Sequence, residues 1–367
     1  MYIRSISGCL AGKSAFFKER FLGDGMSGRG TVQGKVKMDK EIEHLNLQAQ
    51  EYSKRLKEVL NEIRRVIVGQ ESVLEKLLLC LVANGHVLLE GVPGLAKTLM
   101  VKTLSETLSA SFRRIQFTPD LLPADIIGTK IYDHRTASFT TQKGPIFANF
   151  VLADEINRAP PKVQSALLEA MQERQVSIQG ETFKLDAPFM VLATQNPIET
   201  EGTYKLPEAQ VDRFTFKLLV DYPKREEEKV IIQRNTRGIE LTPEKVLSAA
   251  DVTEIQSFNQ RIYADEKIED YVTKLVDATR HPGNYELGEK FDGMIEYGAS
   301  PRASLWLILS GKAHALLNGR GYVIPEDIKA VAHDVLRHRI LLTYEADAEG
   351  ITSDHIIDAI VANIETP

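Results

Sequence analysis

Cysteine is scarce: Cys9 and Cys80 are the only two in 367 residues, and they lie far apart. That argues against a disulfide framework and fits a reducing compartment. No C-x-x-C pair and no ligand-spaced histidine cluster occurs, which argues against a structural metal and leaves Cys80 and His86 as core residues. The chain also lacks any apolar run approaching the roughly 18 to 20 residues that a membrane span requires. Its first residues form no continuous apolar signal core. A soluble, cytoplasmic protein is the expectation. No internal repeat is present, and low complexity is confined to the first 37 residues.

What is there is an ordinary globular composition, 43% hydrophobic and 26% charged. A chain of this length exceeds the usual single-domain size, so two domains are expected. The net charge of −6 hides an asymmetry. Residues 1–37 hold seven Lys and Arg against Glu19 and Asp24, a local +5, which leaves −11 on the rest. An acidic body argues against sequence-independent nucleic-acid binding as the main task.

Residues 1–37 are rich in Gly, Ser and basic residues without helix or strand period, and read as a mobile tail, with a targeting peptide as the alternative. Met38 is a candidate biological start. From there the sequence predicts a helix with one apolar face that stops by Gly69. Strands are predicted at "HVLLE" (86–90), "FRRIQFT" (112–118), "FVLADE" (150–155), "FMVLATQN" (189–196) and "RFTFKLLV" (213–220), with helical patterns between them. This alternation predicts a three-layer α/β fold around a mostly parallel five-stranded sheet. "KIYDHRTASFTTQKG" and "QVSIQGETFKLDA" alternate with period two around polar turns and predict β-hairpin inserts. After Val220 the patterns are helical, two of them opening on a proline at a first-turn position. The expected organisation is thus a tail (1–37), an α/β nucleotide-binding core (38–220) and an all-helical lid domain (221–367).

Two stretches come within one residue of the phosphate-loop pattern G-x-x-x-x-G-K-S/T. "SISGCLAGKS" (5–14) has Ser7 at the leading glycine, and "LLEGVPGLAKT" (88–98) has Ala96 at the second. Such a loop needs a buried strand before it and a helix after it, so that backbone N–H groups and the helix dipole converge on anionic oxygens. Only the second stretch has both. Gly91, Gly94 and Ala96 then belong to the loop, the small Ala96 still letting the backbone approach phosphate. Lys97 is expected to reach the β and γ phosphates, and the Thr98 hydroxyl to hold Mg²⁺.

"FVLADE" ends a buried strand on Asp154 and Glu155, where open α/β sheets bind their ligands. Asp154 is expected to complete the Mg²⁺ shell and Glu155 to orient and polarise the attacking water. Asn196, closing "MVLATQN", is placed to position that water or contact the γ-phosphate; the alternative is a turn-forming Asn before Pro197. Arg213 sits at the last strand. Arg302 sits at a helix start, where a cation opposes the dipole and requires an anionic partner such as phosphate.

Residues 55–345 resemble the MoxR family of AAA+ ATPases through "GVPGLAKT", "ADEINRAPPKVQSALLEAMQE", "ATQNPIE", "EGTYKLPEAQVDRF" and "SPRASLWL". These are similar to its nucleotide loop, magnesium and hydrolysis motif, first sensor, finger region and second sensor. The resemblance makes Ala96 typical and adds Leu95 and Leu99 to the loop. It also implies that "VIVGQ", with Gly69 and Gln70, flanks adenine. A homo-oligomeric ring, commonly a hexamer, is implied, with ATP and Mg²⁺ at subunit interfaces. Lys97, Thr98, Asp154, Glu155, Asn196 and Arg302 would then act within one subunit. Arg213 would reach the neighbour's γ-phosphate as an arginine finger, with Arg158 the second candidate. The hairpins would face the pore or substrate side. The implied activity is ATP-driven, chaperone-like remodelling or maturation of protein complexes, with von Willebrand factor A domain proteins among the partners.

Two other readings stay open at this point. One is a motor subunit of a magnesium-chelatase-like metal-insertion complex, which a tetrapyrrole-binding partner would stimulate. The other is a nucleotide-dependent scaffold with negligible hydrolysis, against which Glu155, Asn196 and Arg213 all argue. Nucleic-acid unwinding is a minor further option that salt-sensitive DNA binding would revive.

Overall fold

The computed structural model describes residues 30–135, 137–196, 203–238, 240–291 and 293–367. The "SISGCLAGKS" stretch, Cys9 and residues 197–202 lie outside them. The first helix, α1 (Gly30–Val66), begins ahead of Met38, inside the segment that the sequence reads as irregular. No proline interrupts these residues, and extending an existing helix costs far less than nucleating one. From Leu45 to Pro367 the chain forms one compact unit. Within it α1 buries Ala49, Leu56, Val59, Leu60 and Ile63 at helical spacing, and Arg64 and Arg65 close its last turn where the dipole favours cations.

Helix α2 (Glu71–Val82) leads into β1 (Val87–Glu90), which is followed by α3 (Lys97–Thr107) and β2 (Phe112–Gln116). A hairpin of β3 (Gly128–Asp133) and β4 (Ser138–Lys143) precedes β5 (Phe150–Asp154) and α4 (Pro161–Glu173). A second hairpin, β6 (Gln175–Ile178) with β7 (Glu181–Lys184), precedes β8 (Met190–Gln195) and β9 (Phe216–Leu219). All five predicted strands join one parallel sheet in the order β2-β5-β8-β1-β9, and both predicted hairpins form. The central strands β5 and β8 are buried on both faces up to their last residue, which is why they read as unbroken apolar runs. Edge strand β2 is instead mostly polar.

The carboxyl ends of the strands carry Glu90, Gln116, Asp154 and Gln195, with Glu90 opposite Gln195 and Gln116 opposite Asp154. Polar side chains therefore gather along one edge of an apolar sheet.

The lid includes α5 (Arg225–Thr236), α6 (Ala249–Arg261), α7 (Glu266–Ala278), α8 (Pro301–Leu317), α9 (Pro325–Leu336) and α10 (Ser353–Asn363), but it is not all-helical: Ile295–Tyr297, ahead of α8, pairs antiparallel with Leu341–Leu342, after α9, a ladder too short to show a period in the sequence. Pro301 and Pro325 open their helices, where a missing N–H costs nothing. One apolar cluster runs from α1 and α2 through β1 into α6 to α10, so the first two helices pack with the lid as well as with the sheet. The Tyr52 ring lies 4.8 Å from that of Phe258, and Ser53 Oγ donates to the Leu317 carbonyl at 2.6 Å. Cys80 and His86 are core residues: burial pushes the Cys80 thiol up and holds His86 well below the usual histidine range.

Gly69 has φ +71°, and a Cβ there would stand 2.6 Å from Glu227 Oε2, the carboxylate that accepts the Lys224 N–H at the start of α5. Gly69→Ala is expected to lose about 1–2 kcal/mol from the left-handed backbone alone. A urea-denaturation midpoint equal to the parent's would contradict this.

Candidate active site

The loop between β1 and α3 is shaped by its small residues. A Cβ on Gly91 would stand 2.4 Å from the Val220 carbonyl, so only glycine lets β1 leave the sheet beside the end of β9. Gly94 has φ +87° and open space where a side chain would be. Ala96, the residue before α3, is itself left-handed at φ 55°. Backbone conformation bears on that position besides side-chain size: glycine adopts this backbone freely, whereas alanine holds it at a cost of about 1–2 kcal/mol. The loop thus runs into a helix N-terminus, where backbone N–H groups and the dipole favour anions.

Lys97 opens α3, and its ammonium donates to the Gly91 carbonyl across the loop. Burial pushes Lys97 below the ordinary lysine range, opposed by the carboxylates of Asp154, Glu90 and Glu155. The lysine, loop and acidic pair thus act on one another electrostatically. Half-buried Thr98 follows on the same turn.

Beside the loop lies a cavity of about 670 Å³. Gly94, Leu95, Ala96 and Leu99 form one end, Val68 and Gln70 one wall, and Ile231, Arg234 and Asn235 of α5 another. Gln70, left-handed at φ 57°, ties this wall to the sheet through a 2.7 Å bond from Nε2 to the Asp221 carbonyl. Gly69 does not line the cavity; it lets α5 approach. The α5 residues escaped the sequence reading, because nothing local marks a helix that closes a pocket some 130 residues downstream of its loop.

Asp154 Oδ1 accepts the Thr194 hydroxyl at 2.6 Å, and the same hydroxyl accepts the Glu155 N–H at 2.8 Å. Asp154 Oδ2 accepts Arg114. Glu155, in a left-handed backbone at φ 56°, accepts Gln116 Nε2 at 2.7 Å and Arg158 Nη1 at 2.9 Å, both on Oε2. Asn196 is buried directly after β8, two residues beyond Thr194. Arg114 and Gln116 were missed in the sequence; their signal is two polar side chains in phase on an edge strand paired with the acidic one.

The two remaining arginines lie elsewhere. Arg213 Nη1 donates to the Leu168 carbonyl at 3.1 Å, while its enclosed Nε has no partner among the described residues. Arg302 does have the anionic partner its helix-start position requires, but that partner is Asp212, at 3.2 Å, and not a site on the loop. Asp212 also accepts Ser300 Oγ at 2.9 and 3.0 Å and the buried Arg339 Nε at 2.9 Å. One carboxylate, a residue before Arg213, thus joins the core to the start of α8 and to the turn that follows α9.

A parallel sheet, a strand-to-helix loop with its lysine, an acidic pair at a neighbouring strand end and a helical lid define the phosphate-loop nucleotide-binding class. Comparison with known proteins narrows it. The model of the ATPase family associated with various cellular activities (AAA) matches residues 86–216, and that of the AAA lid domain matches 291–360. Chaperone MoxR1 of Mycobacterium tuberculosis is 50% identical over 315 residues, covering 85% of this chain and 82% of its own. Protein MoxR of Methylorubrum extorquens is 30% identical over 83% of this chain and 93% of its own. A crystal structure from Cytophaga hutchinsonii with an ATPase assignment superimposes with a TM-score of 0.83 at 50% identity, covering 89% of this chain and 98% of that one. The chain belongs to the MoxR family of AAA+ ATPases. No helix among the described residues is long and apolar enough to cross a membrane.

Proposed function

We propose that this protein is an ATP-hydrolysing, ring-forming chaperone of MoxR type that remodels or matures protein complexes in the cytoplasm. The observation that carries the reading is the loop from Gly91 to Lys97, whose Gly94, Leu95 and Ala96 line the 670 Å³ cavity while Lys97, outside that lining, feels the charge of Asp154 and Glu155. The cavity has Gly94, Leu95 and Ala96 of the loop at one end and walls with apolar Val68, Leu99 and Ile231, and it suits the nucleoside part of a nucleotide whose phosphates lie along the loop toward Lys97.

Lys97 contacts the β and γ phosphates. Thr98 and Asp154 offer oxygen donors only, which suits Mg²⁺. When bound, that ion neutralises charge on the phosphate oxygens. Glu155 orients the attacking water and takes up its proton, using Oε1, since both of its bonds given above fall on Oε2. Asn196 holds the same water. Arg302 moves from Asp212 to phosphate as the lid closes, and Arg213 serves the neighbouring subunit. A homo-hexamer supplies those neighbours, and chemistry at one interface shifts a lid against a core. The chaperone designation of the mycobacterial relative supports the remodelling role, with von Willebrand factor A domain proteins as expected partners.

Glu155→Gln tests this reading. It is expected to bind ATP as the parent does and to lose about 10²- to 10⁴-fold in turnover, because the amide cannot take a proton. Calorimetry and phosphate release check the two halves, and a comparable loss of binding would contradict the assignment. Affinity isolation with the ATP-loaded variant then identifies clients.

A further inference from the structure

Both oxygens of the Asp154 carboxylate are engaged within the chain. The hydroxyl of Thr194 on Oδ1 is a neutral donor that orients the group without cancelling its charge. Oδ2 accepts two N–H groups of one guanidinium, Arg114 Nε at 3.0 Å and Nη2 at 2.5 Å. With both lone pairs of Oδ2 taken by a cation, a metal held through that oxygen requires Arg114 to leave, whereas Oδ1 keeps one lone pair beside the Thr194 hydroxyl.

Arg114 and Gln116 lie two apart on β2 and so leave the same face of the strand, with Gln116 opposite Asp154 in the register. Arg114 Nη2 donates to Gln116 Oε1 at 2.8 Å, and Gln116 in turn donates to Glu155. The Arg114 side chain is 49% exposed and that of Asp154 17%, so the guanidinium reaches the carboxylate from the solvent side. A pair this open adds little to folding. Its location, on the oxygen donor assigned to Mg²⁺, is what asks for a reason.

We infer that Arg114 is a placeholder cation, a positioning residue that neutralises Asp154 before the metal arrives and is displaced when Asp154 takes Mg²⁺. The inference rests on the reading of Asp154 as a Mg²⁺ ligand given under Proposed function. Neutralising Asp154 in this way keeps its charge from repelling incoming phosphates, at the expense of Mg²⁺ affinity. The bond to Gln116 further ties the release of Arg114 to the second carboxylate, Glu155.

The test is the ADP affinity in saturating MgCl₂ divided by that in EDTA, a ratio that reports the coupling between metal and nucleotide on the protein. Association of ADP with Mg²⁺ in solution enters parent and variants alike and cancels between them. Arg114→Gln is expected to raise the ratio about two- to fivefold, the worth of a partly exposed ion pair. Arg113→Gln removes the same charge from the opposite face of β2 and is expected to leave the ratio unchanged. An unchanged or lower ratio for Arg114→Gln overturns the inference, since a residue that merely oriented Asp154 would weaken the metal when lost. An equal rise in Arg113→Gln overturns it too, reducing the effect to net charge. Asp154→Asn run alongside separates the two levels. If it leaves the ratio intact, the Mg²⁺ assignment itself fails; if it lowers the ratio while Arg114→Gln does not raise it, only the placeholder fails. Thermal unfolding of Arg114→Gln at the parental temperature confirms that the half-exposed substitution has not altered the fold.

Discussion

Arg213→Ala is expected to bind ATP with parental affinity and to lose turnover by roughly 10³- to 10⁵-fold, the range an arginine finger commands in phosphoryl transfer. The geometry explains why binding should survive. Within its own subunit Arg213 donates one bond to the Leu168 carbonyl, and its enclosed Nε has no partner among the described residues. It does not line the cavity. The side chain as a whole is only partly buried, which a group serving another subunit requires. Mixing is the decisive measurement. Lys97→Ala subunits retain Arg213, so adding them to Arg213→Ala subunits should restore part of the lost phosphate release. A parallel fall in ATP affinity would instead make Arg213 structural. Failure of the rescue would move the finger to Arg158, which here bonds Glu155 at 2.9 Å.

Lys97→Ala is expected to weaken ATP binding about 10²- to 10³-fold and to abolish measurable turnover. Removing one partner of a desolvated charge pair costs about 2–5 kcal/mol, much of it from the other partner left unmatched. Burial already pushes the Lys97 pKa down, and its charge is sustained by Asp154, Glu90 and Glu155. The variant would therefore lose the phosphate contact and leave the carboxylates facing the incoming anion. Lys97→Arg keeps the charge but not the compact ammonium that fits inside the loop, so it should recover little. Equilibrium titration with a fluorescent ATP analogue measures both variants; parental affinity in Lys97→Ala would remove this loop as the nucleotide site.

The parts of this molecule legible in its sequence are those that local chemistry encodes. Strand β5 was visible because a central parallel strand is covered on both faces and must be apolar throughout, which leaves Asp154 conspicuous at its end. The hairpins were visible through period two, and α8 and α9 through prolines at their first turns. The left-handed backbone of Ala96 is not legible, because a sequence does not display φ; it appears only in three dimensions. The beginning of α1 was placed too late for a related reason: the leading residues have no strong apolar period, yet they continue a helix nucleated further on.

The sequence by itself determined the order along the chain of the elements that carry the candidate residues: a strand, a loop ending in Lys97 and Thr98, an acidic pair closing a second strand, Asn196 closing a third, and a mainly helical lid. Each is specified by neighbours within a few residues, where periodicity and turn chemistry act. Only the tertiary structure decided which charge meets which. Arg114 finds Asp154 across 40 residues and Arg302 finds Asp212 across 90. Those pairings follow from the strand order β2-β5 and from lid helices docking on the core, and Coulomb attraction depends on distance in space, which spacing in sequence does not encode.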